Sequence, residues 1–94
     1  MSINKTDILS KICYTELVYG RINKKMKTEL SITEIEEMLY KIIDETEILH
    51  FNKIGKNIYV MNVENQIKIT INSNTYRIIT VDRINMQDKT TKNQ

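Results

Sequence analysis

Residues 66–72 read Gln66-Ile67-Lys68-Ile69-Thr70-Ile71-Asn72. Isoleucine alternates strictly with polar residues. In an extended chain this puts Ile67, Ile69 and Ile71 on one side and Lys68 and Thr70 on the other. A strand with one apolar side needs a layer to cover it, so the fold follows from what lies next to this segment. On its C-terminal side, Ser73-Asn74 suits a two-residue hairpin turn, because Asn tolerates positive φ. Thr75–Ile84 then reads as a further strand. On its N-terminal side, Glu64-Asn65 makes a tight connection to a strand over Asn57–Val63. Gly55-Lys56 is a turn back to a first strand over Ile48–Lys53. Connections this short predict an antiparallel meander of four strands.

Upstream of residue 47 the apolar period changes from two to three and four. Ser31 and Glu34 form an S-x-x-E capping box. Ile35, Met38, Leu39, Ile42 and Ile43 follow as a stripe, which predicts a helix from about Ile32 to Thr46. Glu34, Glu36 and Glu37 fall in its first turns, where the helix dipole favours negative charge. Earlier still, Ile8, Leu9, Ile12, Leu17, Val18, Ile22 and Met26 recur at helical spacing after a cap at Asn4 or Thr6. Two readings fit: one bent helix over 6–27, or two helices that break near Tyr14-Thr15 with Thr15 capping the second. The break is favoured, because Gly20 already weakens a continuous helix. Helices that precede strands define an α+β class. The expectation is a single domain over residues 1–86, with two or three N-terminal helices on one face of a four-stranded antiparallel sheet, and a flexible polar tail over 87–94.

Ninety-four residues make one domain with a core of modest size. No apolar run approaches the roughly 20 residues that cross a bilayer. The first seven residues carry no apolar signal core, so the expected location is the cytoplasm and no membrane partner is expected. A single cysteine, Cys13, cannot form an internal disulfide. One Cys and one His do not supply the four ligands of a structural zinc site, so no metal is expected. No phosphate-loop, dinucleotide, zinc-protease or nucleophile-elbow pattern occurs, and only Gly20 and Gly55 are glycine. No cofactor is expected. The net charge of +2 hides an asymmetry: residues 1–50 carry −2 and residues 51–94 carry +4. The absence of alanine and the wealth of isoleucine, lysine and asparagine suit AT-rich coding.

Each candidate for chemistry has a plainer structural reading beside it. His50 is the sole imidazole, yet no second group can be placed beside it, and a lone histidine is more often structural. Cys13 reads as a small buried apolar side chain of a helical segment. The carboxylates Glu34, Glu36, Glu37, Asp44, Glu45 and Glu47 read as the solvated face of an amphipathic helix. No catalytic residue is therefore assigned. What remains is basic and aromatic. Lys53, Lys56, Tyr59, Lys68, Tyr76, Arg77, Thr80 and Arg83 lie on or between the strands, and with Arg21 they are the candidate contacts to nucleic acid or another partner. Strict alternation puts either Tyr76, Ile78 and Thr80, or Arg77, Ile79 and Val81, on the open face, and does not choose between them. Arg21, Lys24, Lys25 and Lys27 form a second basic cluster near a helix C-terminus. There they stabilise the dipole, and phosphate is a further option.

Thr15-Glu16-Leu17, Arg21-Ile22, Gly55-Lys56-Asn57-x-Tyr59-Val60, Ile69-Thr70-Ile71-Asn72 and Tyr76-x-Ile78-Ile79-Thr80 together resemble a small bacterial family of unknown function over roughly residues 8–84. The resemblance implies no activity. In that family a histidine often precedes the T-E-L segment, where this chain has Cys13-Tyr14. At the level of fold, helices followed by a four-stranded meander are also similar to the barnase and RelE-type ribonuclease toxins. That likeness would give Arg21, Lys56, Tyr59, Arg77 and Thr80 roles around a ribose 2′-hydroxyl and its phosphate.

The function expected from these features is a non-enzymatic binding module that contacts a macromolecular partner, protein or RNA/DNA. An inhibitor of a nucleic-acid enzyme borne by a phage or mobile element is one form of it. The alternatives are a metal-independent ribonuclease of the toxin type and a homo-oligomeric structural protein, such as a homodimer through an exposed strand.

Overall fold

The computed structural model describes residues 3–84. Three helices precede a four-stranded antiparallel sheet: α1 (Lys5–Lys11), α2 (Val18–Met26), α3 (Ile32–Glu45), a 3-10 turn (Ile48–His50), then β1 (Phe51–Ile54), β2 (Asn57–Asn62), β3 (Ile67–Asn72) and β4 (Ile78–Arg83). Strand order follows chain order, β1-β2-β3-β4. The α+β class, the meander and the break between the first two helices are as expected. The expected tail over 87–94 lies outside the described residues. Among the described residues no helix is long and apolar enough to cross a membrane.

Three helix ends have a clear local cause. Asn4 caps α1 by accepting from the Asp7 N–H at 3.1 Å. Ser31 and Glu34 form the reciprocal capping box at α3. α2 ends in a Schellman motif: Lys27 takes the left-handed conformation at φ 58°, and the Thr28 N–H donates to the Asn23 carbonyl at 2.9 Å. Asn23 also binds the α2–α3 loop. Its Oδ1 accepts from the Leu30 N–H and the Thr28 hydroxyl, and its Nδ2 donates to the Leu30 carbonyl.

The helices cover the face that carries Ile67, Ile69 and Ile71. Across the register these meet Asn62, Val60 and Ile58 of β2, and Val81 and Ile78 of β4. Ile8, Val18, Ile22, Ile35, Leu39, Ile42 and Ile43 close over them as one core. Burying an isoleucine side chain contributes about 1.5–3 kcal/mol, so this row organises the domain.

Four local expectations are corrected. Thr15 does not cap α2: the helix starts at Val18 with no side-chain cap, and residues 12–17 instead let Cys13 pair with Arg77 beside β4. Ile48–His50 is a 3-10 turn, not strand, because the Phe51 and His50 N–H groups bond back to Ile48 and Glu47. The β3–β4 connection is a five-residue loop rather than the two-residue Ser73-Asn74 turn. In it the Asn72 side chain accepts from the Asn74 and Thr75 N–H groups, and Tyr76 is left-handed at φ 60°. Finally, β4 obeys neither strict alternation. Thr70 pairs with Thr80 and Ile71 with Ile78, so Ile79 is an extra, bulged residue. The bulge lets Ile78 and Val81 both face the core while Thr80 faces out.

Candidate functional site

α2 lies along the outer edge of β4. Two consecutive pairs of residues show this. Lys25 Nζ reaches Asp82 Oδ1 at 2.6 Å, on the uncovered face of the sheet. The guanidinium of Arg83, which points toward the helix-covered side, donates to the Met26 carbonyl at 2.9 Å. The edge begins with a short parallel bridge: the Cys13 N–H donates to the Tyr76 carbonyl and the Ile78 N–H to the Cys13 carbonyl. α2 holds this position because Val18, Ile22 and Met26, four residues apart, are buried against the core. The same periodicity leaves Arg21 and Lys24 exposed away from the core, with Lys25 exposed at the border of the buried stripe.

The result is an open groove of about 790 Å³. Gly20, Arg21, Lys24 and Lys25 form its wall, and Ile79 and Thr80 its floor. A smaller recess of about 180 Å³ continues it toward Arg77 and Leu17, sharing Arg21 and Ile79. Arg21, Lys24, Lys25 and Arg77 therefore border one continuous surface. Among the described residues the only ion pair is Lys25–Asp82, so Arg21, Lys24 and Arg77 are uncompensated there. Among the described residues no carboxylate lines either hollow. Thr80 Oγ1 is buried in the groove floor with no hydrogen-bond partner among the described residues. A buried hydroxyl left unpaired costs about 1–3 kcal/mol.

The uncovered sheet face continues from the floor. Thr80 pairs with Thr70, and Thr70 with Tyr59. Lys68 stands beside them with Nζ 5.6 Å from the centroid of the Tyr59 ring, and Asn57 Nδ2 donates to the Tyr59 hydroxyl at 3.4 Å. Of the expected contact residues, Arg21, Arg77, Thr80, Tyr59 and Lys68 thus share one surface.

The other four are elsewhere. Lys53 pairs with Ile58, on the helix-covered side of the sheet, and donates to the Gly55 carbonyl at 3.2 Å. Lys56 sits in the β1–β2 turn, where its carbonyl accepts from Ser73. Tyr76 packs against the core under Lys11, whose ammonium is 5.4 Å from the ring. Arg83 is bound to the end of α2. Lys24 and Lys25 were read from sequence mainly as helix-end charges, yet they line the groove. The available signal was their three- and four-residue spacing from Arg21, which puts the three cations along one side of the helix.

The thiol and the imidazole stand at opposite edges of the sheet. Cys13 is neither buried nor helical as expected: it is exposed beside β4, between α1 and α2, with Sγ 3.6 Å from the Thr75 carbonyl. His50 precedes β1 and lines a separate hollow of about 300 Å³ with Glu45, Glu47 and Glu64. The pair needed for a thiol nucleophile is not assembled. No group of three or more His, Cys, Asp or Glu among the described residues is placed to hold a metal ion.

One polar cluster joins α2 to α3. Tyr14 and Tyr19 stack at 5.4 Å, and the Tyr19 hydroxyl donates to Glu36 Oε2 at 2.7 Å. Burial first, and then the Glu36 bond and its charge, push the Tyr19 phenol up to about 12. Burial, with Glu36 second, raises Tyr14 further. Both stay neutral at physiological pH, so the cluster is a fixed strut rather than a proton donor.

The fold and groove define a class: a small α+β sheet domain with one face uncovered and a cationic helix guarding one edge. The chain belongs to the family described as "Protein of unknown function (DUF3781)", whose model matches residues 6–82. Neither the curated proteins nor the solved structures give a match.

Proposed function

We propose that this protein works by binding, and that its partner is a nucleic acid held by its phosphates along the groove between α2 and β4. The observation that carries this reading is the convergence of Arg21, Lys24 and Arg77 on one surface without a compensating carboxylate. Phosphate contacts of this kind supply most of the sequence-independent affinity for nucleic acid. The net charge of only +2 on the whole chain makes this local concentration more telling than the total. No motif for a bound nucleotide or metal competes with it.

The test is fluorescence anisotropy of labelled RNA and DNA across a range of salt. Three phosphate contacts give a slope near about −2 in log affinity against log salt for a single strand. The double change Arg21→Glu with Lys24→Glu abolishes binding without unfolding the domain, because both side chains are exposed. Absence of binding at low salt, or affinity indifferent to salt, overturns the proposal. RNA incubated with the protein in EDTA stays intact on a gel; shortened RNA would replace this reading with the ribonuclease one. Capture of an acidic protein in preference to either nucleic acid would make the groove a protein-docking surface and also overturn it.

A further inference from the structure

Resting on that reading, we infer that the groove takes a single strand rather than a duplex, with phosphates on the α2 cations and one unstacked base laid on the sheet at Tyr59. The relief of the uncovered face points this way. Tyr59, Thr70 and Thr80 stand side by side on β2, β3 and β4. Adjacent strands are about 4.8 Å apart, so the ring lies about 10 Å from the groove floor. Between the ring and the helix wall lie Thr70, Thr80 and the bulged Ile79. The surface is therefore a shallow trough: α2 with its cations on one side, a floor of two threonines and Ile79, and the aromatic ring with Lys68 on the other.

A duplex presents phosphates outward and hides the faces of its bases. It could touch the α2 cations but would leave the trough empty. A single strand can turn a base out of the backbone and lay it flat, as aromatic residues on sheet surfaces allow. The ammonium of Lys68 now occupies the space near the ring. An exposed cation–π contact is weaker than base stacking on an aromatic side chain, so the base displaces it.

The chain has no tryptophan, so a Tyr59→Trp variant carries a single reporter at the stacking position. Its fluorescence is expected to be quenched by a uridine or thymidine oligomer of about 12 nucleotides, and much less by a duplex of equal length. In the unmodified protein the single strand is expected to bind about tenfold more tightly than the duplex at equal salt. Tyr59→Ala removes that preference, Tyr59→Phe retains it, and neither alters the salt slope by a full phosphate contact. Thermal melts of the variants check that they are folded. Equal or tighter binding of the duplex, no quenching at Trp, or a Tyr59→Ala protein with unchanged single-strand affinity overturns the inference while leaving phosphate binding in the groove intact. Loss of all nucleic-acid binding in the unmodified protein would instead remove the reading on which it rests.

Discussion

The two edges of the sheet meet the same hazard by different means. An edge strand exposes unpaired N–H and C=O groups that another chain can capture. At β4 the answer is cover: the Cys13 bridge occupies the start of the edge and α2 lies along the rest. At β1 the answer is brevity. The strand has four residues. Its two-residue Gly55-Lys56 hairpin turns the groups of Asn52 and Ile54 toward β2, leaving those of Phe51 and Lys53 facing outward. The Phe51 N–H is already bonded to Ile48, so Lys53 supplies the one free outward donor of the strand. The difference bears on function. A short edge needs no helper and gains no chemistry. A covered edge acquires whatever its cover carries, and here that is Arg21, Lys24 and Lys25. The groove is a by-product of edge protection.

The sharpest way to break this comparison is to loosen the cover. Ile22 is fully buried beneath α2, whereas Ile54 at the tip of β1 is 65% exposed. Ile22→Ala should cost about 2–5 kcal/mol in urea denaturation and promote association through the uncovered β4 edge. Ile54→Ala should change stability by less than about 0.5 kcal/mol and leave the mass in solution unchanged. Equal costs would mean that α2 is not what closes the sheet. A smaller effect is expected at the end of the cover. Arg83→Ala removes the donor that holds the Met26 carbonyl and should cost about 1 kcal/mol, since the bond is charge-assisted but partly open to water. Arg83→Lys should recover part of that cost if the bond to the carbonyl is the cause.

The legibility of these features in the sequence follows how local their causes are. The capping box at Ser31 and Glu34 and the alternation of Ile67, Ile69 and Ile71 depend on residues within one turn or one strand, and both stand as read. The bulge at Ile79 depends on how the Asn72–Arg77 loop meets Cys13, more than sixty positions earlier, so no window around β4 reveals it. For the same reason the β4 alternation left Thr80 undecided. Arg83 read as a surface cation because its partner, the Met26 carbonyl, lies 57 positions away. Of the groove, Arg21, Arg77 and Thr80 were legible by type. Their meeting was not, because it requires α2 to lie along β4 rather than across the sheet.

The strut that joins α2 to α3 can be tested with alkali. The Tyr19 phenol gives up its proton near pH 10 when unfolded and at about 12 in the folded chain. Stability from this contact is therefore whole below pH 10 and is lost as pH rises from 10 through 12. Tyr14 is raised too, so it adds to the same fall. Urea midpoints measured across this range should drop for the unmodified protein and drop less for Tyr19→Phe, which cannot ionise there. Equal slopes would show that the Tyr19–Glu36 contact is not what alkali breaks, and that α2 is held by its apolar side alone.

The smallest effect concerns Asp82, the carboxylate paired with Lys25 at the cationic edge. Asp82 holds Lys25 at 2.6 Å with both side chains partly open to solvent, and such pairs contribute about 0–1 kcal/mol. Asp82→Asn should therefore change stability by less than about 0.5 kcal/mol. It does release Lys25 to the groove, adding a fourth cation to Arg21, Lys24 and Arg77. Single-strand affinity should rise a few-fold, and the salt slope should steepen by about 0.7, the increment of one phosphate contact. Glu64→Gln, in the hollow between the end of α3 and the β2–β3 connection, removes the same charge from the whole chain and should leave the slope unchanged. If both variants raise affinity equally, net charge rather than the arrangement at β4 governs binding. A steeper slope for Asp82→Asn alone would mean that Asp82 limits how many phosphates the edge can hold.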